Sequence, residues 1–176
     1  MKIDPYKHKE SFENWISSIS GKSQVCGLNE INSTLLIRFI SDFRIGINVS
    51  SKSKKGERSF TRLNHLKQKL SFIIGKLEER GVCDVRKVTP LDLHSLFSDM
   101  RSGAVQTRFG TPYKSTGDYV KMFKTFWHWY QKTQRAQNNT VQDITEDLDT
   151  RGEKPKFVSS ISTIQPNIYE LKYGTL

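Results

Sequence analysis

Apolar residues along this chain recur at spacings of three and four, and no stretch alternates with the period of two that marks a half-buried strand. The pattern predicts an all-α protein of five helices. The first opens at Asp4 as N-cap with Pro5 at its first position, and buries Phe12, Trp15, Ile16 and Ile19. Ser20 to Gln24 reads as a linker. The second runs from about Asn29 to Arg44 with Ile31, Leu35, Leu36, Phe39, Ile40 and Phe43 as its stripe, and Gly46 ends it. The third spans roughly Ser59 to Arg80, turning Leu63, Leu66, Leu70, Ile73, Ile74 and Leu77 inward, with Gly81 as its left-handed cap. Phe72 falls opposite that face, where it is a lone exposed ring or a seat for a partner protein.

The fourth helix begins at Thr89-Pro90-Leu91-Asp92, a capping box with proline at the first position. Leu93, Leu96, Phe97 and Met100 bury it and Gly103 closes it, before a loop that carries Arg108. The fifth, Lys114 to about Gln134, gathers Tyr119, Val120, Phe123, Phe126, Trp127 and Tyr130 on one face, with Trp129 or Tyr130 partly exposed. Lys114, Gly117, Asp118, Lys121, Thr125, His128 and Lys132 share the opposite face, and Lys124 lies at its edge. Asp143 to Leu148 reads as one further turn capped by Thr145. Beyond Leu148 the periodicity stops. The organisation expected is an N-terminal helix and linker (1–24), a helical domain (25–148) and a linker or tail (149–176).

The charge sharpens this picture. The chain carries 28 Lys+Arg and 18 Asp+Glu, a formal charge of +10. Residues 50–80 hold nine bases and three acids, and residues 113–135 hold five bases and one acid. These two segments account for all ten excess charges. Two basic blocks separated by a neutral one suit a polyanion-binding surface with two walls. Arg62, Lys69 and Lys76, seven residues apart, line one flank of the third helix. Lys54, Lys55, Arg58, Ser59, Thr61 and Arg62 gather where a basic loop meets a helix N-terminus, a setting that favours a phosphate. Lys114, Ser115 and Thr116 form a similar cluster, where the hydroxyls either meet a phosphate or simply cap the helix.

Other chemistry finds little purchase. Cys26 and Cys83 lie too far apart for a zinc motif or a disulfide framework, and His8, His65 and His94 lack ligand partners at helical spacing. His128 sits on the basic face, as a phosphate contact or a plain surface histidine. No phosphate loop, zincin motif, nucleophile elbow or acidic magnesium cluster is present, so neither metal, cofactor nor catalytic role is expected. No apolar run is long enough to cross a bilayer and the N-terminus lacks a signal-peptide core, which sets the expectation of a cytoplasmic protein without a membrane partner.

Residues from about Leu28 to Val158 resemble the N-terminal core-binding domain of phage-integrase-type tyrosine recombinases, in the form seen in archaeal mobile elements. The resemblance rests on the order of several motifs: the helix from Asn32 to Gly46, and the helix from Arg58 to Gly81 after a basic loop. Next come Val88-Thr89-Pro90-Leu91-Asp92-Leu93 and then Tyr113-Lys114-Ser115-Thr116-x-x-Tyr119-Val120-x-x-Phe123-x-x-Phe126-x-x-Trp129. Asp143-Ile144-Thr145-x-x-Leu148 and Lys154-Pro155-Lys156-Phe157 follow. It implies a small orthogonal bundle of SAM-like fold that forms one half of a clamp on double-stranded DNA. On that likeness Lys114, Ser115, Thr116 and Lys121 face DNA from the last long helix, and Arg58, Ser59, Thr61 and Arg62 from the earlier one. With Lys54, Lys55, Lys69, Lys124 and His128 these are the DNA-contact residues expected. A second copy or a recombinase would be the protein partner.

The family's catalytic half carries a His-x-x-Arg pair, and none of the four histidines here has arginine three positions on. Tyr169 and Tyr173 thus have no activating pocket, and the residues after Val158 do not resemble the start of that half. The expectation is a chain that binds DNA without cutting it: a truncated relic, a stand-alone regulator or a fragment. The competing reading is a helical interaction or regulatory protein whose basic faces meet RNA or an acidic protein. An unrecognised enzyme is a third reading, with no set of residues to carry it.

Overall fold

The computed structural model describes residues 5–20, 24–49 and 56–150. These form five helices, α1 (His8–Ser20), α2 (Glu30–Ile45), α3 (Phe60–Glu79), α4 (Pro90–Ser102) and α5 (Thr116–Arg135), with one 3₁₀ turn at Val85–Lys87 and no strand among them. The protein is a small all-α bundle. Asp4, the 21–23 part of the expected linker, Lys54, Lys55 and the tail from 151 onward lie outside the described residues.

α3 is the central element. Leu63, Leu66, Leu70, Ile73, Ile74 and Leu77 are all completely buried, and α1, α2, α4 and α5 each pack against this helix. α5 also packs on α2 and α4. Where α2 meets α5, Phe39 takes Phe126 and Trp129 edge-on at 5.4 and 5.2 Å, a favoured arrangement of ring quadrupoles. Trp129 is 1% exposed, and its indole N–H donates to Asp42 at 2.9 Å. Tyr130, not Trp129, is thus the half-buried ring at the end of the aromatic run.

Helix boundaries follow local chemistry. α1 begins at His8 rather than after Asp4, because Lys7 has φ of 52°, a left-handed conformation that a right-handed helix cannot contain. Asn29 caps α2 by accepting from the Asn32 N–H, and Gly46 (φ 84°) ends it. Thr89 and Asp92 form the reciprocal capping box on α4. Asp143, not Thr145, caps the last turn: its Oδ1 accepts from both the N–H and the hydroxyl of Thr145. Residues 144–147 make a turn there rather than a helix, and Leu148 anchors it in the core.

α2 departs from its expected stripe at one end. Ile31 is 51% exposed, whereas Asn32 is fully buried. Asn32 precedes Leu36, Phe39 and Phe43 at spacings of four, three and four, so it stands on the buried line and Ile31 stands beside it. The Asn32 amide donates to Glu78 (2.6 Å) and to the Cys83 carbonyl (3.3 Å), and its oxygen accepts from the Val85 N–H (2.9 Å). Glu78 accepts the Asn29 N–H as well, and Asn29 Nδ2 donates to the Cys83 carbonyl. This network ties the start of α2 to the end of α3 and to the chain that leads into α4. It also places a carboxylate at a helix N-terminus, where the dipole favours it.

Asn32→Ala leaves the Val85 N–H without its partner and takes one donor from Glu78, and is expected to lower unfolding free energy by about 2–4 kcal/mol; chemical denaturation measures this. The backbone N–H and hydroxyl of Thr89 hold the Asp92 carboxyl below its ordinary range. A depressed folded pKa stabilises fully above the unfolded pKa and is lost as pH falls through the folded value. Asp92→Ala is accordingly less stable than the parent near neutral pH, by about 0.5–1 kcal/mol, and thermal melts of the two converge in acid.

Candidate nucleic-acid interface

The flank of α3 that carries Arg62, Lys69 and Lys76 runs beside the start of α5. Lys69 Nζ lies 3.6 Å from Asp118 Oδ2, and Lys121 Nζ lies 3.5 Å from Asp118 Oδ1. One carboxylate therefore gathers a lysine from each of the two basic segments. The Lys69 ammonium also stands 4.9 Å from the centre of the Tyr119 ring, within the range of a cation–π contact.

Beneath Lys69 lies an aromatic floor. Phe72 meets Tyr113 at 5.4 Å and Tyr119 at 5.5 Å, and the two tyrosines meet each other at 5.4 Å. Phe72 is thus half-buried and partnered, not a lone exposed ring. Burial pushes both tyrosine hydroxyls up in pKa, so the floor stays neutral. The floor fixes the spacing of α3 and α5 here and carries Lys69 above it. Lys76 completes the row, paired with Glu79 one turn on.

The remaining expected contacts divide by where their side chains turn. Lys114, Thr61, Arg62 and Ser115 are exposed. Ser115 makes no capping bond to α5, so its hydroxyl is not used by the helix. Ser59 does cap, accepting from the Arg62 N–H at 3.4 Å. Thr116 is buried, at 6% exposure, which takes its hydroxyl off the outer surface. Arg58 folds inward: its guanidinium lies 5.0 Å over the Phe43 ring, and Nε and Nη2 are enclosed without hydrogen-bond partners. Lys124 donates to the Glu146 carbonyl at 3.4 Å, and His128 lies 3.5 Å from Asp143. Both are engaged by the acidic 143–147 turn, away from the Asp118 cluster. Burial alone would raise the Asp143 carboxyl, but the bonds from Thr145 and the neighbouring His128 outweigh it and hold it low. Lys54 and Lys55 lie outside the described residues.

The structure brings Lys69 and Lys121 together at Asp118, with Arg62 and Lys76 on the same flank of α3 as Lys69 and Lys114 exposed just before α5. It draws Arg58, Thr116, Lys124 and His128 into other roles. Charge and periodicity did not reveal the Phe72–Tyr113–Tyr119 floor, although Phe72 does sit between Lys69 and Lys76 on one flank. Among the described residues no group of three or more His, Cys, Asp or Glu could hold a metal ion, and no helix is long and apolar enough to cross a membrane. Comparison of the chain with family models, curated proteins and solved structures gave no match.

Phe72→Ala is expected to cost about 1–2 kcal/mol through loss of two ring contacts, where a solvated phenylalanine would change stability by under about 0.5 kcal/mol; urea titration separates the two.

Proposed function

We propose that this chain is a DNA-binding module that grips the duplex through its phosphates, in the manner of the recombinase core-binding domains its sequence resembles, and that it contributes binding rather than strand cleavage. The reading rests on the meeting of the two basic segments at Asp118. In free protein one carboxylate serves as counter-ion to Lys69 and Lys121. These surface pairs are worth little in water, so a phosphate can replace the carboxylate at small cost. Arg62, Lys69 and Lys76 are each two helical turns apart, about 10.5 Å, and the row covers about 21 Å. With one phosphate per strand every 3.4 Å or so, that row matches roughly six base pairs.

The mechanism is positional. Lysine and arginine contacts to phosphate set orientation and register without reading bases. The aromatic floor keeps the two helices, and hence the two sets of cations, at a fixed separation during binding.

Titration with salt on a duplex of about 20 base pairs tests the reading. Neutralising about six phosphates predicts a fall in affinity of roughly a thousandfold between 50 and 200 mM salt. An absence of binding at 50 mM overturns it. Lys121→Glu and Arg62→Glu are expected to weaken binding to all sequences alike, while a sequence-selective loss would indicate base readout. Asp118→Asn frees both lysines of their competitor and is expected to tighten binding several-fold, with the salt dependence steepened.

A further inference from the structure

The connection between α4 and α5 presents an aromatic ring to solvent on a closely tied turn. The Thr107 N–H donates to the Thr111 carbonyl at 2.8 Å, and the Gly110 N–H donates back to Thr107 at 2.9 Å. The Thr107 and Thr111 hydroxyls bond at 2.8 Å, and Thr107 Oγ1 also accepts from the Phe109 and Thr111 N–H groups. The base of the turn is equally fixed. Tyr113 N–H donates to Met100 in α4. Pro112 covers Gly103 so closely that an added Cβ would stand 2.9 Å from its Cγ, at a residue whose φ of 88° already favours glycine.

At the tip, Phe109 is 75% exposed. The Arg108 guanidinium lies 4.6 Å from the ring centre and takes up one face. Ordered backbone around a solvent-facing phenylalanine is the reverse of what solubility favours, and a ring on a fixed turn binds without first being ordered. The chemistry of the surroundings says what it meets. From Arg101 to Gly117 the chain holds Arg101, Arg108 and Lys114 and no acidic residue, so the partner is anionic. Phe109 is four residues from Tyr113, at most about 14 Å along the chain, and Tyr113 meets the Tyr119 ring that lies under Lys69. One nucleic-acid molecule lying on the Lys69–Lys121 strip can therefore reach the tip.

We infer that the Arg108–Phe109 tip is a base-stacking element, and that this module prefers DNA containing an unpaired base to intact duplex. The inference rests on the DNA-binding reading above. The ring offers one free face, so it takes a single base rather than wedging between two. In intact duplex the bases are stacked on both faces, and opening them opposes binding; an unpaired base is the least costly to extract. Arg108 covers the opposite face of the ring and adds a positive charge that attracts the nucleic-acid backbone.

Equilibrium binding of the full chain to a 20-base-pair duplex, and to the same duplex with one bulged adenine, tests this. The bulged duplex is expected to bind roughly tenfold tighter, the scale of one base–aromatic stack. Phe109→Ala should bring it down to the affinity of the intact duplex, and leave binding to the intact duplex unchanged. Phe109→Trp should keep the preference and Phe109→Leu should lose it, which separates stacking from mere apolar contact. Coincident thermal melts confirm that the exposed site leaves the fold alone. Equal binding of both duplexes by the parent, or a preference that survives Phe109→Ala, overturns the inference while the duplex-binding reading stands. Failure to bind either duplex at 50 mM salt overturns both. Binding to the bulged duplex alone supports the stacking element and overturns the phosphate grip on intact duplex.

Discussion

Six aliphatic side chains of α3 are removed from water altogether, and the other four helices are positioned by burying their own apolar faces on that helix. This non-directional attraction supplies the bulk of the stability. It does not set rotation or register, since an aliphatic stripe accepts a neighbour at several angles. Directional contacts settle those. Asn32 and Glu78 fix the start of α2 against the end of α3, the Trp129 indole fixes α5 against α2 through Asp42, and the Phe72–Tyr113–Tyr119 rings fix α5 against α3.

The third of these junctions couples fold to surface chemistry. One of the rings that hold α3 and α5 together, Tyr119, is the ring over which Lys69 is suspended, so the separation of the two basic segments is set by packing between helices rather than by a loop. Asp118 then pairs with a lysine from each of the two segments. An acid within a basic surface looks like a defect for anion binding. On the proposed function it is a counter-ion whose contacts are weak enough for a phosphate to replace it.

Much of the architecture was legible beforehand. All five helices, the capping box at Thr89, and the stop signals at Gly46, Gly81 and Gly103 follow from local backbone chemistry that needs no tertiary partner. The candidate surface was legible only in part. Segment charges located the basic residues, but Arg58, Lys124 and His128 are drawn aside by Phe43 and the 143–147 turn. Those neighbours are distant in sequence or lie in irregular chain, where periodicity carries no signal. Asn32 was legible in principle: a polar residue on the line of Leu36, Phe39 and Phe43 must be satisfied by something buried.

The sequence by itself determined which segments are helical, where most of them start and stop, and that the excess positive charge belongs to residues 50–80 and 113–135. Those properties depend on side-chain spacing and on residues within one or two turns. Tertiary structure alone decided that Lys69 and Lys121 share a carboxylate, that Phe72 is a floor and not a free ring, and that Thr116 is buried. The reason is geometric. A helical period fixes the direction of each side chain about its own axis, but which directions face a neighbour depends on how the helices rotate and slide as they pack.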